Sequence, residues 1–254
     1  MADRLDGTVA LVTGASSGIG AATGRALAAE GATVALVARR KQRLDELAAG
    51  ISAAGGRAHV IEADIADQEQ AAMAVEQTAG EFGRLDTVIN NAGVMLLGPA
   101  VDAPLEEWDR MVTVNVQGLL YVAHAALPHL LAAAERDPRQ VADLVNISSV
   151  AGRLVRNGSA VYNLTKHGVG AFSDSVRQEV AGRHVRVSLV EPGATDTELS
   201  SHMRPEVRER SLRRLAGVER LRAEDIADAI VYVVTRPRHV AVNEMLVRPT
   251  EQES

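Results

Sequence analysis

The first forty residues restrict the possible fold more than any other stretch. Residues 8–13, Thr-Val-Ala-Leu-Val-Thr, are a short apolar run ending at a glycine-rich turn, Gly14-Ala-Ser-Ser-Gly18-Ile-Gly20. A proline-free helical pattern carrying Ala22, Leu27 and Ala28 follows, then a second apolar run over residues 33–38. Strand, glycine turn, helix and strand within about 30 residues is the βαβ unit that binds dinucleotides. Its glycines let the backbone approach a pyrophosphate, which then rests on amide donors at the positive end of the helix. The spacing here is G-x-x-x-G-x-G, so a purely structural strand-to-helix turn is the alternative at this point.

The alternation continues along the chain. Helices are expected over residues 41–54 and 67–82, and strands over 57–63 and 86–90. Pro104 opens a long helical stretch reaching about Ala134, apolar on nearly every side from Leu119 to Leu131, which predicts burial on two sides. After a polar break at 136–140 come a strand (141–149), a helix (159–181) and a strand (185–190) stopped by Glu191-Pro192-Gly193. An arginine-rich helix (199–216), another helix (223–235) and a short strand (243–247) complete the chain. Strands alternating with helices predict an α/β, doubly wound, mostly parallel Rossmann-type sheet. With no repeat, low-complexity tract or linker, residues 1–254 read as a single domain.

Composition excludes several classes. No run of about 18 apolar residues offers a membrane span, and Met1–Asp6 lacks the layout of a secretion signal. The absence of cysteine removes disulfides, thiolate chemistry and cysteine-ligated metals, and no histidines show metal-ligand spacing. A formal charge of -6 argues against a nucleic-acid binder. A cytoplasmic location fits these features.

One short motif carries chemistry. In Tyr162-Asn163-Leu164-Thr165-Lys166, Tyr162 and Lys166 stand one helical turn apart on the same face. An ammonium about 4 Å from a phenol, at an effective dielectric of about 20, is worth on the order of 4 kcal/mol, or roughly three pKa units. Tyr162 is therefore expected to act as an acid or base near neutrality. Lys41 and Lys166 are the only lysines among 27 Lys+Arg, so a compact point charge is used here in a chain that otherwise prefers the guanidinium fork. A chance pair on an amphipathic helix is the alternative.

Together these pieces resemble the short-chain dehydrogenase/reductase family over essentially the whole chain. The likeness rests on Thr13-Gly14-x-x-x-Gly18-x-Gly20, Asp64, Asn90-Asn91-Ala92-Gly93, Asn115, Ser149, Tyr162-x-x-x-Lys166 and Pro192-Gly193. It implies a sheet of seven strands flanked by helices, a nicotinamide cofactor, a small-molecule carbonyl or alcohol substrate, and a homodimer or homotetramer. The family's serine lies thirteen positions before its tyrosine, which selects Ser149 over Ser148. Ser149 is then expected to bond the carbonyl oxygen and Tyr162 to protonate it. Lys166 would lower the tyrosine pKa and bind ribose hydroxyls, and Asn115 would hold a water that links Lys166 to solvent. A buried amide satisfied locally is the alternative for Asn115. Gly14, Ser16, Ser17, Gly18, Ile19 and Gly20 are expected around the pyrophosphate and adenosine ribose, Asp64 and Ile65 at the adenine, and Asn91, Ala92 and Gly93 beside the ribose. Pro192 and Gly193 would contact the cofactor, and Thr195 and Thr197 would contact its carboxamide or phosphates or cap the next helix.

The end of the second strand bears on cofactor type. NAD-selective folds place an acidic side chain there for the ribose 2′-hydroxyl. This chain has Ala38 followed by Arg39 and Arg40, which suit a 2′-phosphate, so NADP(H) is expected; two arginines on a solvated loop are the alternative. Met95, Leu96, Leu97, Val155, Leu199 and Met203 are expected to line an apolar substrate pocket. A narrower likeness, to the clavulanic acid dehydrogenase subgroup, appears in Met95-Leu-Leu-Gly-Pro99, residues 126–131, 177–180 and 191–199, and Arg248-Pro249-Thr250. With Arg153, Arg156 and the arginine-rich segment after Pro192-Gly193, it raises the expectation of an anionic substrate, against a default of salt-bridged surface arginines. The functional expectation is an NADPH-dependent carbonyl reductase; a non-catalytic NADP-sensing protein on the same fold is the runner-up.

Overall fold

Seven strands form one parallel sheet: β1 (Val9–Thr13), β2 (Thr33–Ala38), β3 (Arg57–Glu62), β4 (Thr87–Asn90), β5 (Ala142–Ile147), β6 (Val185–Pro192) and β7 (Glu244–Val247). Their order is β3-β2-β1-β4-β5-β6-β7. The structure is a computed structural model and describes residues 4–136 and 138–252. The start of the N-terminal reading, Met1–Asp3, and Asp137 in the polar break lie outside the described residues.

β1, β4, β5 and β6 are buried at every position, as expected for parallel strands covered on both faces. Alternate side chains divide between the two faces. Val12, Val34, Leu36 and Ile89 pack under α1 (Gly18–Ala29), α2 (Lys41–Ala53) and α8 (Ala223–Val234), meeting Leu27, Leu44 and Ile230. Leu11, Val37, Val88 and Leu144 pack on the other face under α3 (Gln68–Phe82), α5 (Leu119–Ala134) and α6 (Ala160–Val180), meeting Val75, Val122, Leu130 and Val176.

Two expected helices differ from the sequence reading. The stretch from Pro104 divides into α4 (Leu105–Val112), a wider π-helical segment (Thr113–Gly118) and α5. Leu105–Ala134 is long and apolar enough by composition to cross a membrane. Its Val122, Ala123, Ala126 and Leu130 instead belong to the core beside β4 and β5. The helix expected over 199–216 is a short 3-10 turn (Glu198–His202) followed by α7 (Pro205–Arg214). Pro205 disfavours the helical region for the preceding residue, and Arg204 accordingly has ψ of 143°.

The strand order reverses direction between β1 and β4. In open α/β sheets ligands bind at such a switch point, outside the carboxyl ends of the strands. Gly14 follows β1 directly and Asn91 follows β4 directly.

Candidate active site

A cleft of about 460 Å³ opens at this switch point. Thr13 builds its floor: its hydroxyl accepts from the Asn91 and Ala92 amides at 3.0 and 3.1 Å, tying β1 to β4. The Asn91 side chain donates back to the Thr13 carbonyl at 2.9 Å. Gly14 takes φ of +65°, and a Cβ there would stand 2.8 Å from the Ala92 Cα, so only glycine fits. α1 begins at Gly18 with no side-chain bond from Ser17 to its first turn, which leaves its amides to face an anion.

The opposite wall carries the motif residues. Ser149 ends the stretch after β5; its hydroxyl accepts from the Ala151 amide at 3.1 Å, donates to the Pro192 carbonyl at 3.5 Å, and favours the ionised form of Tyr162. Tyr162 and Lys166, both buried, project from the first two turns of α6. The Lys166 ammonium donates to the Ile147 carbonyl at 2.8 Å and lies 5.9 Å from the centre of the Tyr162 ring. Burial pushes Tyr162 up to about 12, with Ser149 pulling the other way. Burial also pushes Lys166 down to about 8. The expectation that Lys166 brings the phenol to neutrality is not met in the protein alone: burial raises the phenol, and only Ser149 pulls it down.

Asn115 is corrected in part. Its side-chain oxygen accepts from the Val94 amide at 2.8 Å, and its nitrogen donates to the Val94 carbonyl at 2.9 Å and to Thr165 at 3.3 Å. The local reading holds for the side chain, leaving only the backbone of this π-helical segment for a water link. Asp64 is not among the lining residues; it pairs with the lining Arg39 at 3.5 Å and accepts from the Ala66 amide at 3.1 Å. Gly20 stands behind the turn, against the Gly14 carbonyl. The other expected cofactor residues, Gly14, Ser16, Ser17, Gly18, Ile19, Arg39, Arg40, Ile65, Asn91, Ala92, Gly93, Tyr162, Lys166, Pro192, Gly193, Thr195 and Thr197, all line the cleft. Thr197 also caps the 3-10 turn, accepting from the Leu199 amide at 3.3 Å.

Of the expected pocket residues, Met95, Leu97 and Leu199 line the cleft. Leu96 and Met203 point into packed surroundings, and Val155 is exposed. Arg156 lines the cleft, whereas Arg153 is held by Glu191 at 2.6 Å and by Glu244. Sequence reasoning missed His202 and Glu198, both lining residues. Burial and the nearby Arg110, Arg40 and Arg39 lower the His202 pKa. Glu198 receives Arg40 at 2.8 Å and Arg43 at 2.6 Å, which hold its carboxyl down to about 2.

The doubly wound sheet, the glycine turn and the Ser-Tyr-Lys wall define a nucleotide-binding oxidoreductase architecture. The chain belongs to the short chain dehydrogenase family, whose profile matches residues 8–208. It is 39% identical over 98% of its length to the glycine betaine reductase of Emericella nidulans, of which it spans only 19%. It is 37% identical to an uncharacterized oxidoreductase of Staphylococcus aureus, covering 95% of this chain and 96% of that one. Among solved structures it resembles a serine dehydrogenase complexed with NADP+ (TM-score 0.88, 30% identity, 97% of each chain). A metagenomic short-chain oxidoreductase in complex with NADP gives a TM-score of 0.81 at 33% identity, covering 97% of this chain and 99% of that one.

Proposed function

We propose that the chain is an NADP(H)-dependent oxidoreductase that reduces an aldehyde or ketone to an alcohol, reversibly, with Tyr162 as the acid/base. The observation that carries this reading is the convergence of Ser149, Tyr162 and Lys166 on one wall of a cleft whose far end holds Arg39 and Arg40. The glycine cradle and the two guanidinium groups fit a dinucleotide bearing a 2′-phosphate, and two similar structures are NADP complexes. When bound, the cofactor supplies the hydride-donating carbon and, once oxidised, a positive charge beside the phenol.

Ser149 donates a hydrogen bond to the substrate oxygen as negative charge develops on it. Tyr162 then gives that oxygen its proton. An alkoxide is far more basic than a phenolate, so a phenol raised to about 12 still transfers its proton downhill. Lys166, mostly protonated below pH 8, stabilises the phenolate left behind and would hold a ribose hydroxyl of the bound cofactor. Members of the family usually form oligomers, and assembly as a homodimer or homotetramer is proposed on that ground alone.

The substrate reading extends to an anionic carbonyl compound held by Arg156, in line with the likeness to clavulanic acid dehydrogenase. Arg156 lines the cleft, and one similar structure is a serine dehydrogenase, named for a compound that carries a carboxylate beside its alcohol. The test is cofactor oxidation across a panel of carbonyl compounds, each carboxylate-bearing aldehyde paired with its methyl ester. NADPH should outperform NADH by about tenfold or more. The acid should outperform its ester, less so as salt screens the approach. No turnover across the panel would contradict the enzyme reading, and preference for the ester would contradict the anionic substrate alone.

A further inference from the structure

We propose that Glu198 is a specificity-determining residue that competes with the cofactor's 2′-phosphate for Arg40, holding the Glu198–His202 turn against the cleft until that phosphate displaces it. The inference rests on the NADP(H) reading above.

The geometry starts at the glycine turn. Thr197 packs onto Gly18, where an added Cβ would stand 3.1 Å from the threonine methyl. The segment after Pro192-Gly193 therefore crosses the turn itself and brings Glu198 to a guanidinium 158 residues away. One edge of Arg40 is fixed by Ser16, at 3.0 Å from Nε and 2.8 Å from Nη2, and by Ser17 at 2.7 Å. Its remaining nitrogen, Nη1, donates to Glu198 at 2.8 Å. The other carboxylate oxygen takes Arg43 at 2.6 Å. An anion that docks on Arg40 meets a nitrogen already bonded to a carboxylate.

Arg39 differs from Arg40, because its pair with Asp64 is long, at 3.5 Å, and well exposed. The phosphate site thus has one loosely held arginine and one occupied arginine. A phosphate near pH 7 carries close to twice the charge of a carboxylate and more acceptor oxygens, so it can take Arg40 from Glu198. Arg43 remains to receive the displaced carboxylate. A cofactor without the phosphate makes no claim on Arg40 and leaves Glu198 in place. Glu198 accordingly weakens NADP(H) binding selectively, narrows the margin over NAD(H), and couples phosphate binding to release of the turn. Its carboxyl is held down to about 2, so it stays ionised through the neutral range; pH acts on the exchange only through the phosphate's second ionisation at about 6, and salt screens both partners.

The test is a set of dissociation constants for NADPH and NADH, read from cofactor fluorescence at low salt, for the unmodified protein, Glu198→Gln, Arg40→Gln and the double variant. Glu198→Gln should tighten NADPH by about fivefold and change NADH by less than about twofold, the scale of one exposed ion pair. The gain should vanish in the Arg40→Gln background. Amide exchange at residues 199–203 should also speed up in cofactor-free Glu198→Gln. Unchanged or weaker NADPH binding in Glu198→Gln, or equal tightening of both cofactors, would overturn the competition while leaving the cofactor reading intact, provided Arg40→Gln weakens NADPH. If Arg40→Gln leaves NADPH affinity unchanged, the cofactor reading itself fails and the inference falls with it.

Discussion

The two ends of the sheet use the same chemical pair, arginine with carboxylate, for opposite purposes. At the amino ends of the strands, Asp143 is wholly buried and receives Arg186 at 2.7 and 2.9 Å and Arg139 at 3.1 Å. Arg186 also donates to the Val234, Arg236 and Val240 carbonyls, closing the end of α8. Nearby, Asp86 takes Arg84 at 2.6 Å and the Val9 amide at 2.9 Å. At the carboxyl ends, Glu198 holds Arg40 and Arg43 with all three side chains 43–45% exposed. A buried pair cannot lose a partner without stranding a charge, whereas an exposed pair can exchange partners at little cost. The first kind closes the scaffold, and the second is suited to a cleft that must admit an anion.

Removing one carboxylate from each end should break the symmetry sharply. Asp143→Ala leaves Arg186 buried without its countercharge and should cost about 3–5 kcal/mol in urea unfolding. Glu198→Gln should shift stability by less than about 1 kcal/mol. Similar losses at both positions would remove the distinction.

Lys166 sharpens the comparison with a smaller effect, because it is a buried charge at the functional end with no carboxylate partner among the described residues. Its pKa is depressed from 10.5 to about 8, so the folded state binds its proton less tightly than the unfolded chain does. Its favourable contribution is present above about pH 10.5 and is lost as pH falls through about 8. Lys166→Met should therefore raise stability near pH 7 by about 1–2 kcal/mol, with the advantage shrinking as pH approaches 10, while turnover disappears. Thermal unfolding across that pH range checks the sign; a variant destabilised at pH 7 would contradict it. Tyr162 acts oppositely, since its pKa is raised from 10.0 to about 12, and stability should fall as pH rises from about 10 to about 12.

The scaffold was legible because its signals are local. Apolar runs such as residues 8–13 and 33–38, each ending at a turn, state where strands lie, and their alternation with helices states the topology. The Tyr162–Lys166 pair was legible because helical spacing alone puts both on one face. What escaped depended on contacts distant in sequence or on burial. Nothing near Glu198 announces Arg40 and Arg43, and nothing near Arg153 announces Glu191 and Glu244. The phenol pKa was misjudged because pair attraction can be read from spacing, while desolvation depends on the complete wall around Tyr162. The break before α7 did have a signal, Pro205, which the helical reading of 199–216 passed over. The π-helical turn had none, since Thr113–Gly118 holds no proline and a helical pattern runs through it from α4 into α5.

The most direct test of the account compares Tyr162→Phe with the unmodified protein in two assays on the same sample. Phenylalanine keeps the ring and its packing and removes only the hydroxyl that holds the proton. NADPH affinity, read from cofactor fluorescence, should stay within about threefold. The rate with the best carbonyl substrate should fall by at least about a hundredfold, the scale of a lost general acid. A Phe variant that binds NADPH normally and keeps more than about a tenth of the rate with every substrate would show that the proton comes from elsewhere.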